Sequence, residues 1–176
     1  MTADIPNDSE QFARFSMTQS LGRFSFLWLI TLGIYGLHWH YMNWRAFGFG
    51  KFSSGFFALF SGFAIYGLAR RIFQLATGQG MTVGVDPAIL LFACVLGGIL
   101  SNRTPGFWFI LGLPLILIPT LYLQQFLNTY WSKVKPDRPQ RPLFSGGFFV
   151  WTIVGVILWG LTIVGILMEM GLIQEG

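Results

Sequence analysis

The uncharged stretch FSFLWLITLGIYGLHWHYMNW (residues 24–44) decides the class of fold. Its 21 residues lie between Arg23 and Arg45. At about 1.5 Å per residue, one helix of this length reaches about 30 Å, the thickness of a bilayer's hydrocarbon core. Tryptophan and tyrosine crowd its second end, where amphipathic rings lie among lipid headgroups. We therefore predict that residues 24–44 form the first transmembrane helix.

Two glycines stand near the middle of this stretch. Gly33 and Gly36 fall within one helical turn, and glycine weakens a helix because its backbone is less restricted. The pattern allows either a kinked helix that crosses the membrane or a re-entrant turn. We favour the kink.

The composition agrees with a membrane protein. Apolar residues make up 53% of the 176 residues and charged residues only 10%, against roughly 25% charged in a soluble domain. The net charge of +4 comes from eleven basic residues scattered in short clusters, a pattern that does not predict nucleic-acid binding. The chain has one cysteine, Cys94, so a disulfide framework is excluded.

The apolar runs predict an all-α, polytopic membrane protein with about five helices, kinked at glycine and proline. A single transmembrane domain, 24–168, lies between an N-terminal tail, 1–23, and a C-terminal tail, 169–176. The N-terminal tail either carries a helix on the membrane surface or is disordered. The acidic start is not that of a cleaved signal, so the first span is expected to stay in the mature protein. The predicted spans are 24–44, 52–69, 87–102, 105–123 and 143–168.

Small residues and prolines modify these spans. Ala93 and Gly97 are four residues apart, a spacing that lets two membrane helices approach closely. Pro114 and Pro119 are expected to kink the fourth span.

The basic residues predict the orientation, because cytoplasmic loops of membrane proteins are enriched in lysine and arginine. Five spans with a cytoplasmic N-terminus place eight basic residues inside. Only Arg45, Lys51 and Arg103 then lie outside. The C-terminus is accordingly expected to be external.

Candidates for chemistry are few. His38 and Met42 share a helical face and form a weak candidate for a copper site. The alternative is a pair of ordinary interfacial residues, and His40 points about 200° away from His38 on a helix. The sequence contains no catalytic motif, paired carboxylates or cysteine cluster. We therefore predict no cofactor and no enzymatic activity.

The strongest polar cluster is predicted at the end of the fourth span. Gln124 and Asn128 share a helical face, with Gln125 adjacent to both. Together with Trp39 and Asn43 they are the candidate contact for a partner protein or lipid. The simpler alternative is that these amides satisfy one another and a neighbouring helix.

The stretch from residue 31 to 45, TLGIYGLHWHYMNWR, resembles the TLGIY-G-x-x-W-x-Y-x-N-W signature of the DUF4234-type family of small bacterial membrane proteins. The runs FALFSGFAIYGLARRI and LQQFLN are similar to later parts of that family. Members carry an aromatic residue where His38 and His40 stand, so the resemblance implies no role for these histidines. It implies a helical protein of the bacterial inner membrane, without an established activity. The TLGIY string also occurs in the YjgN-like membrane family.

Three classes of function fit these observations. The first is a non-catalytic membrane protein that binds membrane lipids or a partner protein, or forms a homo-oligomer, as in an accessory subunit. The second is a small transporter or channel acting as an oligomer, although the spans offer few polar residues for a pathway. The third is an intramembrane enzyme that modifies lipid.

Overall fold

The computed structural model describes residues 9–103, 107–138 and 146–169. Within these ranges the chain is helical with short connections and has no strand, which confirms the all-α class. The helices are α1 (Ser9–Phe15), α2 (Leu21–Ile30), α3 (Ile34–Ala46), α4 (Lys51–Leu59), α5 (Ser61–Gly78), α6 (Pro87–Arg103), α7 (Phe107–Val134) and α8 (Gly146–Glu169).

The predicted first span is broken between α2 and α3. Leu32 and Gly33 both adopt positive φ, 51° and 89°, a left-handed conformation that a continuing helix does not contain. The Thr31 hydroxyl donates to the Leu27 carbonyl (2.7 Å) and accepts from the Tyr35 amide (2.9 Å). Thr31 therefore satisfies backbone groups on both sides of the break.

The two halves of this stretch fold back on each other. The ring of Phe24 lies 5.7 Å from that of Tyr35 and 5.8 Å from that of Trp39. In one continuous helix, Phe24 and Trp39 would be about 22 Å apart. The prediction of a single kinked helix over 24–44 is therefore wrong, and α2 and α3 form a helical hairpin, here called the first hairpin.

A second hairpin replaces the predicted span 52–69. Helices α4 and α5 meet at Phe60 with a bend of 117°. Helix α5 then brings the chain back to the level at which α4 begins. This is shown by the Arg71 guanidinium on α5, which lies 4.9 Å from the centre of the Phe49 ring just before α4. The second hairpin contacts the first through the rings of Phe57 and Trp44, whose centres are 4.6 Å apart.

Helices α6 and α7 pack along their lengths. A Cβ atom on Gly97 would lie 2.8 Å from the Gly112 carbonyl oxygen, so the two backbones are in direct contact there. Helix α6 agrees closely with the predicted span 87–102. Helix α7 is longer than the predicted span 105–123 and continues through Pro114 and Pro119 to Val134.

Helix α8, which matches most of the predicted span 143–168, packs mainly against α2. A Cβ on Gly155 would lie 2.6 Å from the Ile30 carbonyl oxygen. Elsewhere α8 stands apart, and only 11% of its most apolar window is buried. Among the described residues, α8 is the one unbroken helix that is long and apolar enough to cross a membrane; the bent pair α4 and α5 passes only when joined.

The two hairpins and α7 begin or end in one aromatic layer, here called the base. The base is formed by residues 9–20, 45–51, 70–79 and 131–138. The ring of Phe12 contacts the rings of Phe47 (5.3 Å), Tyr130 (5.8 Å) and Trp131 (5.3 Å). Across the same layer, Lys133 Nζ donates to the Gln79 carbonyl. Helix α1, predicted as surface helix or disordered tail, is thus part of the base. Residues 1–8 and 170–176 lie outside the described ranges.

Candidate functional site

The predicted polar cluster on α7 binds a segment of the same chain. Gln124 Nε2 donates to the Met17 carbonyl (2.9 Å), and Asn128 Nδ2 donates to the Gln19 carbonyl (2.8 Å). The Gln19 amide donates back to Asn128 Oδ1 (3.3 Å). Residues 16–20 form no helix, so these side chains supply hydrogen bonds that a helix would have made internally.

Further hydrogen bonds extend this network to α3 and the end of α7. Trp39 Nε1 donates to Gln124 Oε1, and the Tyr35 hydroxyl donates to Gln19 Oε1. Trp131 Nε1 donates to Ser16 Oγ (2.9 Å), while Arg138 donates to the Ser16 carbonyl. The network therefore fastens residues 16–20 between the first hairpin and α7.

Most of the residues of the predicted contact surface are buried. Trp39, Asn43 and Gln124 have no exposed surface, Asn128 is half-buried, and Gln125 alone of the set is exposed. The predicted pairing of Gln124 with Asn128 is present at 2.8 Å. The three buried residues do not form an outer surface, because they are packed inside the chain; a partner would have to displace residues 16–20 to reach them.

His38 and Met42, the predicted copper ligands, do not belong to a larger group of metal-binding side chains among the described residues. His38 is half-buried, with its ring 5.3 Å from Trp151 and 6.0 Å from Tyr35, and Met42 is also half-buried. Across the described part of the chain, no three His, Cys, Asp or Glu side chains are grouped to hold a metal ion. A copper site at His38 and Met42 remains a prediction.

A cavity of about 330 Å³ lies where the turn of the first hairpin meets α6 and α7. Trp28, Leu113 and Ile116 contribute apolar lining, and His40 and Ser101 contribute polar lining. His40 is only 4% exposed. His40 Nδ1 and Ser101 Oγ are both buried and have no hydrogen-bond partner. The cavity lining is thus mostly apolar with a few polar residues, the usual composition of a small-molecule site.

The sequence does not place His40 and Ser101 together. His40 belongs to the first predicted span and Ser101 to the third. The two residues meet at one cavity only because the first hairpin turns back at Leu32 and Gly33. The pair of glycines, Gly33 and Gly36, was the available signal for that turn.

No family model, curated protein or solved structure matches this chain. The resemblance of residues 31–45 to the DUF4234-type signature therefore stays a prediction.

Proposed function

We propose that this chain is a non-catalytic integral membrane protein of the bacterial inner membrane that binds anionic lipid at its base. Helix α8, whose apolar surface is largely exposed, faces lipid or a partner helix in this proposal. The inner-membrane location is inferred from the family resemblance. The lipid-binding site at the base is inferred from the distribution of basic residues.

The described basic residues gather at one end of the fold. Among them, Arg103 at the far end of α6 is the exception. The base and the helix ends beside it hold nine basic residues: Arg14, Arg23, Arg45, Lys51, Arg70, Arg71, Lys133, Lys135 and Arg138. Among the ten basic residues that the structure describes, the five-span topology gives seven inside and three outside, whereas a single cytoplasmic base gives nine inside and one outside. The second arrangement obeys the positive-inside rule more strongly.

The first hairpin is too shallow to cross a bilayer. Helices α2 and α3 have 10 and 13 residues, or about 15 and 20 Å, against a hydrocarbon core of about 30 Å. In the second hairpin, α4 is also too short to cross, with 9 residues, or about 14 Å. The turn of the second hairpin is apolar, with Leu59 74% exposed and Phe63 69% exposed. These observations support two re-entrant hairpins that enter from the cytoplasm and return. In this topology α8, the one unbroken described helix that is long and apolar enough by itself, crosses the membrane together with the packed pair α6 and α7. The C-terminus is then external.

Cysteine labelling distinguishes this topology from five spans. In a Cys94→Ala background, we expect Lys51→Cys to resist a membrane-impermeant maleimide in intact cells and to react after permeabilisation. Lys51 is an exposed residue at the start of α4, on the cytoplasmic side of the proposed topology. A five-span protein places it outside.

The matched control is Met168→Cys, near the end of α8, where Met168 is 42% exposed. It is expected to react in intact cells under either topology and shows that the reagent reaches the protein. Labelling of both variants in intact cells would rule out the re-entrant hairpins.

Lipid binding at the base is tested by removing charge. Arg70 lines an open groove of about 480 Å³ between α5 and residues 83–87, and Lys133 is exposed nearby on the base. A basic side chain near an anionic surface contributes about 1 kcal/mol. Changing both Arg70 and Lys133 to glutamine should therefore weaken binding of phosphatidylglycerol by about 30-fold. Native mass spectrometry of retained lipid measures this change.

Arg103→Gln is the control for that experiment, because Arg103 ends α6 at the opposite end from the base. We expect it to leave phosphatidylglycerol retention unchanged. Equal losses in Arg103→Gln and in the double variant would indicate a general effect of net charge and would contradict a lipid site at the base.

The cavity favours one second candidate, a small transporter acting as an oligomer. A transported molecule needs a site within the membrane, and the cavity is lined by residues of α3, α6 and α7 at the turn of the first hairpin. Solute flux in liposomes that depends on His40 would support this alternative over the binding protein.

A further inference from the structure

The open groove beside α5 is lined by side chains of both charges. Arg70, Gln74 and Thr77 line it from α5, where their spacing of four and three residues places them on one helical face. Asp86 lines it from residues 83–87, the connection that leads into α6. A single groove of about 480 Å³ therefore has a cation on one wall and an anion on the other.

These two charges are not neutralised by the protein. Within the described part of the chain, neither Arg70 nor Asp86 has an ion-pair partner, and both side chains are exposed. The Arg70 guanidinium lies 5.9 Å from the centre of the Tyr66 ring, a contact that uses none of its N–H donors. Asp86 Oδ1 accepts a hydrogen bond from the Ala88 amide (2.7 Å), which leaves Oδ2 for a ligand. Both charges are thus accessible from the groove.

An unpaired carboxylate is unexpected at this end of the fold. The base and the helix ends beside it hold nine described basic residues, which attract phosphate in the proposed function. Asp86 repels a phosphate that enters the groove, because like charges raise each other's energy. A ligand that brings its own cation beside the phosphate changes this repulsion into an attraction.

We propose that the groove binds a phospholipid whose headgroup ends in a primary ammonium, of the phosphatidylethanolamine type, with its phosphate at Arg70 and its ammonium at Asp86. A guanidinium matches phosphate oxygens with two parallel N–H groups, and an ammonium has three N–H donors for a carboxylate. The inference rests on the proposed function, because the lipid reaches the groove from the leaflet that contacts the base. It goes further by assigning a headgroup: Arg70 binds the phosphate of any phospholipid, whereas Asp86 selects the amine.

The same face of α5 also provides a surface for the acyl chains. Phe63 and Tyr66 precede Arg70 by seven and four residues on this face, and they are 69% and 38% exposed. They lie between Arg70 and the apolar turn of the second hairpin at Phe60. From that turn to the base, the face thus presents exposed rings, then a guanidinium, then the groove. Acyl chains, phosphate and ammonium follow one another in this order in a phospholipid.

The headgroup is tested with phosphatidylethanolamine and phosphatidylcholine of identical acyl chains. Phosphatidylcholine keeps the phosphate, but its quaternary amine has no N–H to donate. With the purified full chain in detergent, we expect phosphatidylethanolamine to bind at least about tenfold more tightly, the value of one hydrogen bond to a charged group. Titration followed by native mass spectrometry measures both affinities. Equal affinities would overturn the proposal.

Asp86→Asn tests which residue selects the amine. The preference for phosphatidylethanolamine should fall from about tenfold to about threefold or less, because a hydrogen bond to a neutral acceptor is worth about half as much. Asparagine and aspartate cap helices equally well, so the Tm of the lipid-free protein should stay the same. Arg70→Gln, in contrast, should weaken the binding of both lipids and leave their ratio unchanged. An unchanged ratio in Asp86→Asn would overturn the proposal.

Asp137→Asn is the matched control. Asp137 is an exposed carboxylate of the base that does not line the groove, so the substitution removes the same charge elsewhere on the same surface. It should keep the preference for phosphatidylethanolamine. An equal loss of preference in Asp86→Asn and Asp137→Asn would indicate a general effect of charge and would contradict a site in the groove.

Free phosphoethanolamine distinguishes a lipid from a soluble ligand. It lacks the chains that cover Phe63 and Tyr66, so it should compete at least about tenfold less well than the lipid. Equal competition would overturn the assignment to a phospholipid. The proposed function fails separately: it requires that the double substitution of Arg70 and Lys133 weakens phosphatidylglycerol binding, which does not depend on Asp86.

Discussion

Replacing Gln124 with leucine is expected to lower the free energy of unfolding by about 3 kcal/mol. The substitution removes the partner of Trp39 Nε1 and of the Met17 carbonyl, and one of the two donors to Asn128 Oδ1. Each buried polar group that loses its partner costs about 1–3 kcal/mol, although hydrogen bonds within a bilayer average only about 0.6 kcal/mol. Denaturation of the purified protein in mixed micelles measures the change.

Gln125→Leu is the matched control, since Gln125 is the next residue on the same helix and is exposed. It is expected to change stability by less than about 0.5 kcal/mol. Similar stabilities for the two variants would show that the network around residues 16–20 contributes little. If Gln124 and Asn128 belonged to a contact surface for a partner, as the sequence predicts, replacing both with leucine would weaken partner binding and leave the fold intact. The complete burial of Gln124 leads to the opposite expectation.

Replacing Gly97 with alanine is expected to destabilise the packing of α6 against α7 by about 2 kcal/mol or more. The added Cβ would lie 2.8 Å from the Gly112 carbonyl oxygen and 2.9 Å from Leu115 Cβ. The first contact is with backbone, so relief requires one whole helix to shift. The same denaturation experiment should show a lower transition midpoint.

The neighbouring glycine provides the control. A Cβ on Gly98 would meet nothing within 4 Å. Alanine is the better helix former by about 1 kcal/mol, so Gly98→Ala should leave stability unchanged or raise it. If Gly97→Ala is as stable as Gly98→Ala, close backbone packing does not hold α6 and α7 together.

The sequence predicted the parts of the fold that depend on local pattern. Composition correctly gave the helical class, Pro87 marked the start of α6, and the small residue at Gly97 does face another helix. It did not predict the hairpins. A run of 21 uncharged residues has the same composition whether it crosses a bilayer or returns, and the Thr31 hydroxyl makes the turn without any charged residue.

The candidate site was predictable only where its contacts are local. The pairing of Gln124 with Asn128 follows from their spacing along one helix, and it is present. Their other partners, Met17 and Gln19, lie 107 and 109 residues away in sequence. No periodicity indicates such contacts. The cavity likewise joins His40 to Ser101 through tertiary structure alone.

The distance between these partners also has a consequence for synthesis. Residues 16–20 leave the ribosome well before the α7 side chains that bind them, which lie more than 100 residues later. At about 5–20 residues per second, the delay is about 5–20 s. During that interval the Met17 and Gln19 carbonyls lack the α7 amides that bind them in the folded chain. A nascent chain halted before α7 therefore cannot complete the network around residues 16–20.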